Sequence, residues 1–275
     1  MPNFIVGARL HDYGKGTPDE LFGKVSADGF AAVQLAYKKC VPTVKSYADV
    51  TDALVAETVA AEKAHHIQVA VLGTYVELAI NDESRLCNVA DFKSQLAVCK
   101  ALGAGCIGTE TTAMSKQPTG TTRAQAQELL CRSLAEILPA AEALGVTVGI
   151  EPVTYHSMNS AAATRHILDT MSSPNLKVIF DMSNLVSAEN VDAQDRIWYD
   201  MGALLGDQIV AVHFKGQAFA PDGSLLHTSL EESRTDYAGA FAMLRQLPQP
   251  ALPVLREEAV PARAASDIAF MKGFF

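Results

Sequence analysis

Cysteine is scarce and unpatterned: the five residues Cys40, Cys87, Cys99, Cys106 and Cys131 are odd in number and none stands in C-x-x-C spacing. A disulfide framework or a zinc knuckle is therefore not expected, and a reduced, cytoplasmic compartment is. The chain also lacks any apolar run near the ~20 residues of a membrane-spanning helix. Its opening, Met1-Pro-Asn-Phe-Ile-Val6, has no charged n-region and runs straight into a strand, so no signal peptide is expected. Basic residues are outnumbered, 22 Lys and Arg against 31 Asp and Glu for a net charge of −9. Nucleic-acid and membrane surfaces require the opposite sign, so neither is expected as a partner. Low-complexity segments are missing, and so is any Pro/Ser/Gly linker that would divide the chain.

The 275 residues, 49% hydrophobic and 19% charged, have ordinary globular composition. Short apolar runs alternate with longer amphipathic stretches. Strands are predicted at 4–10, 30–36, 67–73, 105–110, 145–152, 176–181, 208–213 and 252–257. Between and after them helices are predicted from the Thr17-Pro18 start and at about 46–65, 88–102, 123–144, 160–173, 190–206, 236–246 and 261–273. Gly103 ends the helix before it, as glycine commonly does. The Thr/Gly/Pro-rich segment 111–121 reads as a mobile loop, and 215–235 as a long one. Eight strand–helix units in one stretch of 1–275 match a single (β/α)8 TIM barrel. A doubly wound sheet is disfavoured because Gly7-Ala-Arg-Leu-His11 is not a Gly-rich phosphate turn.

Four of these strands end on a side chain that can bind a metal: Gly145-Val-Thr-Val-Gly-Ile-Glu151, Leu176-Lys-Val-Ile-Phe-Asp181, Gln208-Ile-Val-Ala-Val-His213 and Leu252-Pro-Val-Leu-Arg-Glu257. In a barrel the carboxyl ends of all strands open on one face. Glu151, Asp181, His213 and Glu257 are thus expected to meet around one divalent cation, without which clustered carboxylates would repel. Three carboxylates and an imidazole favour Mn²⁺, Mg²⁺ or Co²⁺, with Zn²⁺ also compatible. Glu258 competes with Glu257, since alternation along a strand lets only one of them face inward.

With those residues in hand, Phe180-Asp-Met-Ser-Asn-Leu185, Val212-His-Phe-Lys-Gly216, Gly108-Thr-Glu-Thr111 and Glu257 resemble motifs of the sugar phosphate isomerase/epimerase superfamily. Its members have a xylose isomerase-like TIM barrel. The resemblance implies a metal held by Glu151, Asp181, His213 and Glu257, with Glu151 and Glu257 also serving as the acid/base pair. It further implies a sugar or polyol substrate and a homodimer or homotetramer. Two departures stand out. Gly216 occupies a position where many members have Asp, and Asn184 stands where the ketose 3-epimerases carry His.

Two carboxylates beside a cation suit proton abstraction next to a carbonyl, through a cis-enediolate stabilised by the metal. Such chemistry makes the chain a ketose-type isomerase or epimerase. An inosose-type dehydratase shares the proton removal, and a non-catalytic sugar-binding barrel is the third reading. A multi-zinc apurinic-site endonuclease would require more than the seven histidines present. Lys215, Asn184, Glu110, His11 and His156 are the expected substrate-binding side chains. For Lys215 a buried ion pair with Glu151 or Asp181 is the alternative, and for Glu110 a partner role behind the site. Tyr75 and Trp198 offer either sugar-stacking surface or packing, and Arg234 a contact to an anionic group.

Overall fold

The computed structural model describes residues 1–275. Each barrel strand is short and buried on both faces, the pattern of a parallel sheet covered by helices. In chain order the elements are β1 (Asn3–Arg9), α1 (Pro18–Ala27), β2 (Ala32–Leu35), α2 (Tyr37–Cys40), α3 (Asp52–His65), β3 (Gln68–Gly73), α4 (Ser84–Leu102), β4 (Cys106–Glu110), α5 (Arg123–Leu144) and β5 (Val148–Glu151). There follow α6 (Ala161–Met171), β6 (Leu176–Asp181), α7 (Gln194–Leu205), β7 (Ile209–Phe214), β8 (Gly216–Phe219), β9 (Leu225–Thr228), α8 (Tyr237–Leu244), β10 (Ala251–Arg256) and α9 (Ala264–Lys272). Eight of the strands close into a parallel barrel in the order β1-β10-β7-β6-β5-β4-β3-β2. This is the (β/α)8 architecture read from the sequence.

Helix boundaries follow local chemistry. Thr17 and Glu20 form a capping box with Pro18 in the first turn of α1, and Thr122 with Gln125 does the same for α5. The helix expected over 46–65 starts only at Asp52. Before it, the Asp49 carboxylate accepts the Lys45 and Ser46 N–H groups at 2.9 and 2.7 Å and closes a separate 3-10 turn, after which Thr51 caps α3. Conversely α4 begins at Ser84, four residues before the expected Asn88.

Two loops hold more structure than expected. Segment 111–121 is tied down: Met114 N–H donates to Tyr155 O at 3.0 Å, and Gln117 Nε2 donates to Ala79 O at 2.9 Å. Within 215–235, β8 and β9 pair as an antiparallel hairpin standing beyond β7.

Most of the core lies between the strands and the helices. A second, smaller cluster fills the barrel itself, built on Ala32, Ala70, Val71, Cys106, Ile179, Ala211 and Leu255. Ile179 is accommodated because its neighbours are glycines; a Cβ on Gly108 would lie 2.4 Å from Ile179 Cδ1, and one on Gly149 2.8 Å from Ile179 Cγ1. The closing strand carries a buried ion pair outward to α9, with Arg256 Nε 2.8 Å from Asp267 Oδ2 and side chains only 2% and 1% exposed. Removing one partner of such a pair leaves the other charge uncompensated in the interior. Asp267→Ala is expected to lower unfolding free energy by about 3–5 kcal/mol in urea titration; a loss under about 1 kcal/mol would mean that Arg256 finds another partner or water.

Candidate functional site

Parallel closure brings the carboxyl ends of neighbouring strands to one rim, and register pairs the residues there. Glu110 lies beside Glu151, and Asp181 beside His213. Glu257 follows the last residue of β10, its N–H donating to Phe214 O at 3.0 Å. Glu151, Asp181, His213 and Glu257 are all buried.

At the centre is the His213 imidazole. Its Nδ1 lies 3.1 Å from Glu151 Oε2 and 3.4 Å from Glu257 Oε1. One donor atom each from Glu151, Asp181 and His213 falls within 4.8 Å of the other two. Nδ1 has only the Glu151 and Glu257 carboxylates as polar neighbours, and His213 Nε2 makes no hydrogen bond at all. Buried polar atoms are rarely left so. That unpartnered nitrogen and the carboxylate oxygens converging beside it fit a divalent cation.

Cationic side chains face the same carboxylates. Lys215 Nζ lies 2.9 Å from Asp181 Oδ2 and 3.5 Å from Glu257 Oε2, and its own carbonyl is held by Ser183 Oγ at 2.7 Å and Tyr237 OH at 2.8 Å. The buried ion pair is thus the role in which Lys215 stands, with Asp181 as partner. Burial pushes the Asp181 carboxyl up, to about 6, even against Lys215. Burial acts the same way on Glu257 but loses to His213, Lys215 and Arg9, which bring that carboxyl down to about 2. His213 would be lowered by burial alone; Glu257 and Glu151 outweigh it and lift the imidazole to about 9.

Asn184 binds the cluster directly: its Nδ2 donates to Glu151 Oε1 at 2.5 Å and its N–H to Asp181 Oδ1 at 2.9 Å. Glu110 is half-exposed and lines the same cleft, where burial together with Glu151 and Glu257 raises its carboxyl to about 7. His156 is buried behind it, Nε2 3.8 Å from Glu110 Oε2. His11 stands with its ring edge-on to Tyr75, centroids 5.8 Å apart. Tyr75 also lines the cleft. Trp198 does not: it packs on Phe180 at 5.9 Å from α7, outside the barrel. Arg234 is exposed and lies 3.4 Å from Asp192. Glu258 takes a left-handed backbone, φ 56°, and turns its carboxylate to Arg9 at 3.0 Å, so Glu257 is the one that faces His213.

Two contributors escaped the sequence reading. Arg9, the last residue of β1, donates to Asp12 (Nε 3.0 Å, Nη2 2.8 Å) and reaches Glu257 at 3.7 Å. Asp12 in turn accepts the Ala259 N–H at 2.9 Å, which secures the turn carrying Glu257. Gln34 donates to Tyr75 OH at 2.9 Å. The signal was present in both cases: Arg9 closes β1, and Gln34 is the one polar residue of β2. The cleft formed by these groups is nearly filled by their own side chains, with a cavity volume of about 10 Å³.

A family model described as xylose isomerase-like TIM barrel matches residues 22–273. No curated protein matches the sequence. Among solved structures, 3-keto-D-glucoside 4-epimerase YcjR from E. coli is similar with 17% identity and TM-score 0.72, over 98% of this chain and 100% of that one. D-psicose 3-epimerase, solved in the presence of D-fructose, gives 16% and 0.71 over 100% and 98%. The IolI protein with a bound zinc atom gives 16% and 0.74 over 100% and 96%. At these identities the likeness is one of fold.

The Lys215–Asp181 pair carries a prediction. In metal-free protein, Lys215→Met leaves Asp181 without its nearest cation, and stability is expected to fall by about 3–5 kcal/mol. Adding Mn²⁺ should restore part of that loss in a thermal melt, because a ligand that binds only the folded state stabilises it. Equal melting of the two metal-free proteins would remove the ion pair as a support of the site.

Proposed function

The chain belongs to the xylose isomerase-like TIM barrel family, and from that premise we propose that it is a divalent-metal-dependent isomerase or epimerase of ketose-like sugars. The observation that carries this reading is the approach of two buried carboxylates, Glu151 and Glu257, to the same nitrogen of His213 at 3.1 and 3.4 Å. Two acid/base groups are thereby poised around one centre, as removal of a proton at one face of a carbon and return at the other requires.

Glu151, Asp181, His213 and Glu257 are the residues that would hold the cation: Mn²⁺, Mg²⁺ or Co²⁺ by their hardness, with Zn²⁺ compatible. When bound, it supplies a Lewis acid for the carbonyl and the neighbouring hydroxyl of the sugar. The chain's own groups do the rest. Glu257, kept ionised by His213, Lys215 and Arg9, accepts the proton from the carbon next to the carbonyl. Glu151 returns a proton from the opposite side, which inverts the stereocentre; return to the adjacent carbon isomerises instead. Asn184, fixed to both Glu151 and Asp181, holds the Glu151 carboxylate in orientation. Lys215 balances the charge of Asp181 and Glu257, Glu110 offers a polar contact at the cleft wall, and His156 backs Glu110. Tyr75 closes that wall with an apolar ring face, and the cleft keeps water from the carbanionic species.

Two measurements bear on this. Elemental analysis should find about one divalent ion per chain in the purified protein and none in Asp181→Ala; equal metal content in both would remove the ligand set. In D2O, NMR should show deuterium entering the carbon next to the carbonyl of a ketose, and Glu257→Gln should slow that exchange by about 10²–10⁴-fold, the usual contribution of a positioned acid or base. Undiminished exchange in the variant would move the base elsewhere, and a product lighter by one water would identify dehydration as the reaction.

A further inference from the structure

A second concavity opens on the catalytic face, between the loops that follow β5 and β6 and the β8–β9 hairpin. Its cavity volume is about 500 Å³, against about 10 Å³ for the catalytic cleft. The two meet at one hydrogen bond. Asn184 lines the groove and donates to Glu151, which lines the cleft. The groove falls within the range of small-molecule sites, about 300–1,000 Å³, and the cleft alone lies far below it.

The groove's chemistry is distinctive. No Lys, Arg or His lines it, and its one charged residue is an acid, Glu189. Its floor consists of two buried amides, Asn184 and Gln217, 7% and 2% exposed. Gln217 is held rigidly, Nε2 donating to Ser183 O at 2.7 Å and Val186 O at 3.2 Å. Tyr155, 54% exposed, and Phe219 supply aromatic surface. A phosphate site needs Arg, Lys or a free helix N-terminus. The N-terminus of α6, which follows the lining residue Asn159, is already capped by Ser160 Oγ accepting the Ala163 N–H at 3.3 Å. Neutral hydrogen-bonding groups beside exposed aromatic faces suit a sugar ring, which has hydroxyls at its edge and apolar C–H faces.

We infer that the substrate carries a second, uncharged unit joined to the reacting sugar, and that this groove binds it. The substrate class is accordingly a neutral glycoside or disaccharide and not a sugar phosphate. This rests on the epimerase or isomerase reading of the cleft. The hairpin, absent from a minimal βα unit, is the element that builds the outer wall and thereby sets the preference.

The experiment follows proton exchange in D2O with fructose, its monophosphate at the terminal carbon, and three disaccharides joining glucose to fructose through different oxygens: isomaltulose, turanose and trehalulose. A companion variant, Ala188→Trp, narrows the groove opposite Gly223, where Ala188 Cβ lies 3.6 Å from the position of an added Cβ. The best disaccharide should exceed fructose in kcat/KM by about tenfold, equivalent to 1.4 kcal/mol of added contact, with the phosphate below both. Ala188→Trp should abolish that advantage through KM while fructose stays within about twofold, which also reports that the variant folds. Preference for the phosphate, parity of fructose with every disaccharide, or an equal loss for both in Ala188→Trp would overturn the inference. Should no sugar exchange at all, the catalytic reading fails separately. Calorimetry with the three disaccharides then decides the groove, since binding lost in Ala188→Trp upholds it and no binding ends it.

Discussion

Like charges crowded in a space without water govern this structure. Glu151, Asp181 and Glu257 open on one buried rim, and in a low-dielectric environment their repulsion would be severe without compensation. The fold supplies it from three sides: His213 lies between two of the carboxylates, Lys215 spans Asp181 and Glu257, and Arg9 approaches Glu257 from the first strand. The balance is partial, since His213 Nε2 still has no hydrogen-bond partner. That residual demand makes the cluster fit for a divalent cation.

Rigidity around the cluster comes from backbone closure more than from the charges themselves. The first and last barrel strands are adjacent, so the Arg9–Asp12 unit at the end of β1 can grip the Glu257–Ala259 turn beyond β10. The left-handed backbone at Glu258 sends successive carboxylates in different directions, one to His213 and one to Arg9. On the other side, Asn184 joins β5 to β6, and the hydroxyls of Ser183 and Tyr237 hold the Lys215 carbonyl. Glu151 and Asp181 are therefore held by Asn184 in the turn after β6, and the turn carrying Glu257 by Arg9 and Asp12 at the end of β1.

Those loops carry the variation. The segments after β5 and β6 and the hairpin after β7 shape a groove with neutral amides and aromatic faces, whereas the cleft toward β2–β4 is lined by Gln34, Tyr75 and Glu110. In barrels of this type, chemistry belongs to strand ends and preference to the loops.

Much of this was legible in the sequence. Eight apolar runs alternating with amphipathic helices specified the barrel, because a parallel strand covered on both faces must be apolar throughout. Four metal-capable side chains closing four such runs marked the rim, because parallel strands present the same end to the same face. What lay beyond it were the facts that depend on distance through space. No local pattern told whether Glu257 or Glu258 turns inward, that Lys215 faces Asp181, that Arg9 reaches across the seam between β1 and β10, that Trp198 packs outside the barrel, or that 215–235 folds into a hairpin. Periodicity along a chain encodes which face of an element is buried. Only closure of the ring decides which charges from distant strands become neighbours, since their interaction depends on distance through space, which sequence separation does not encode.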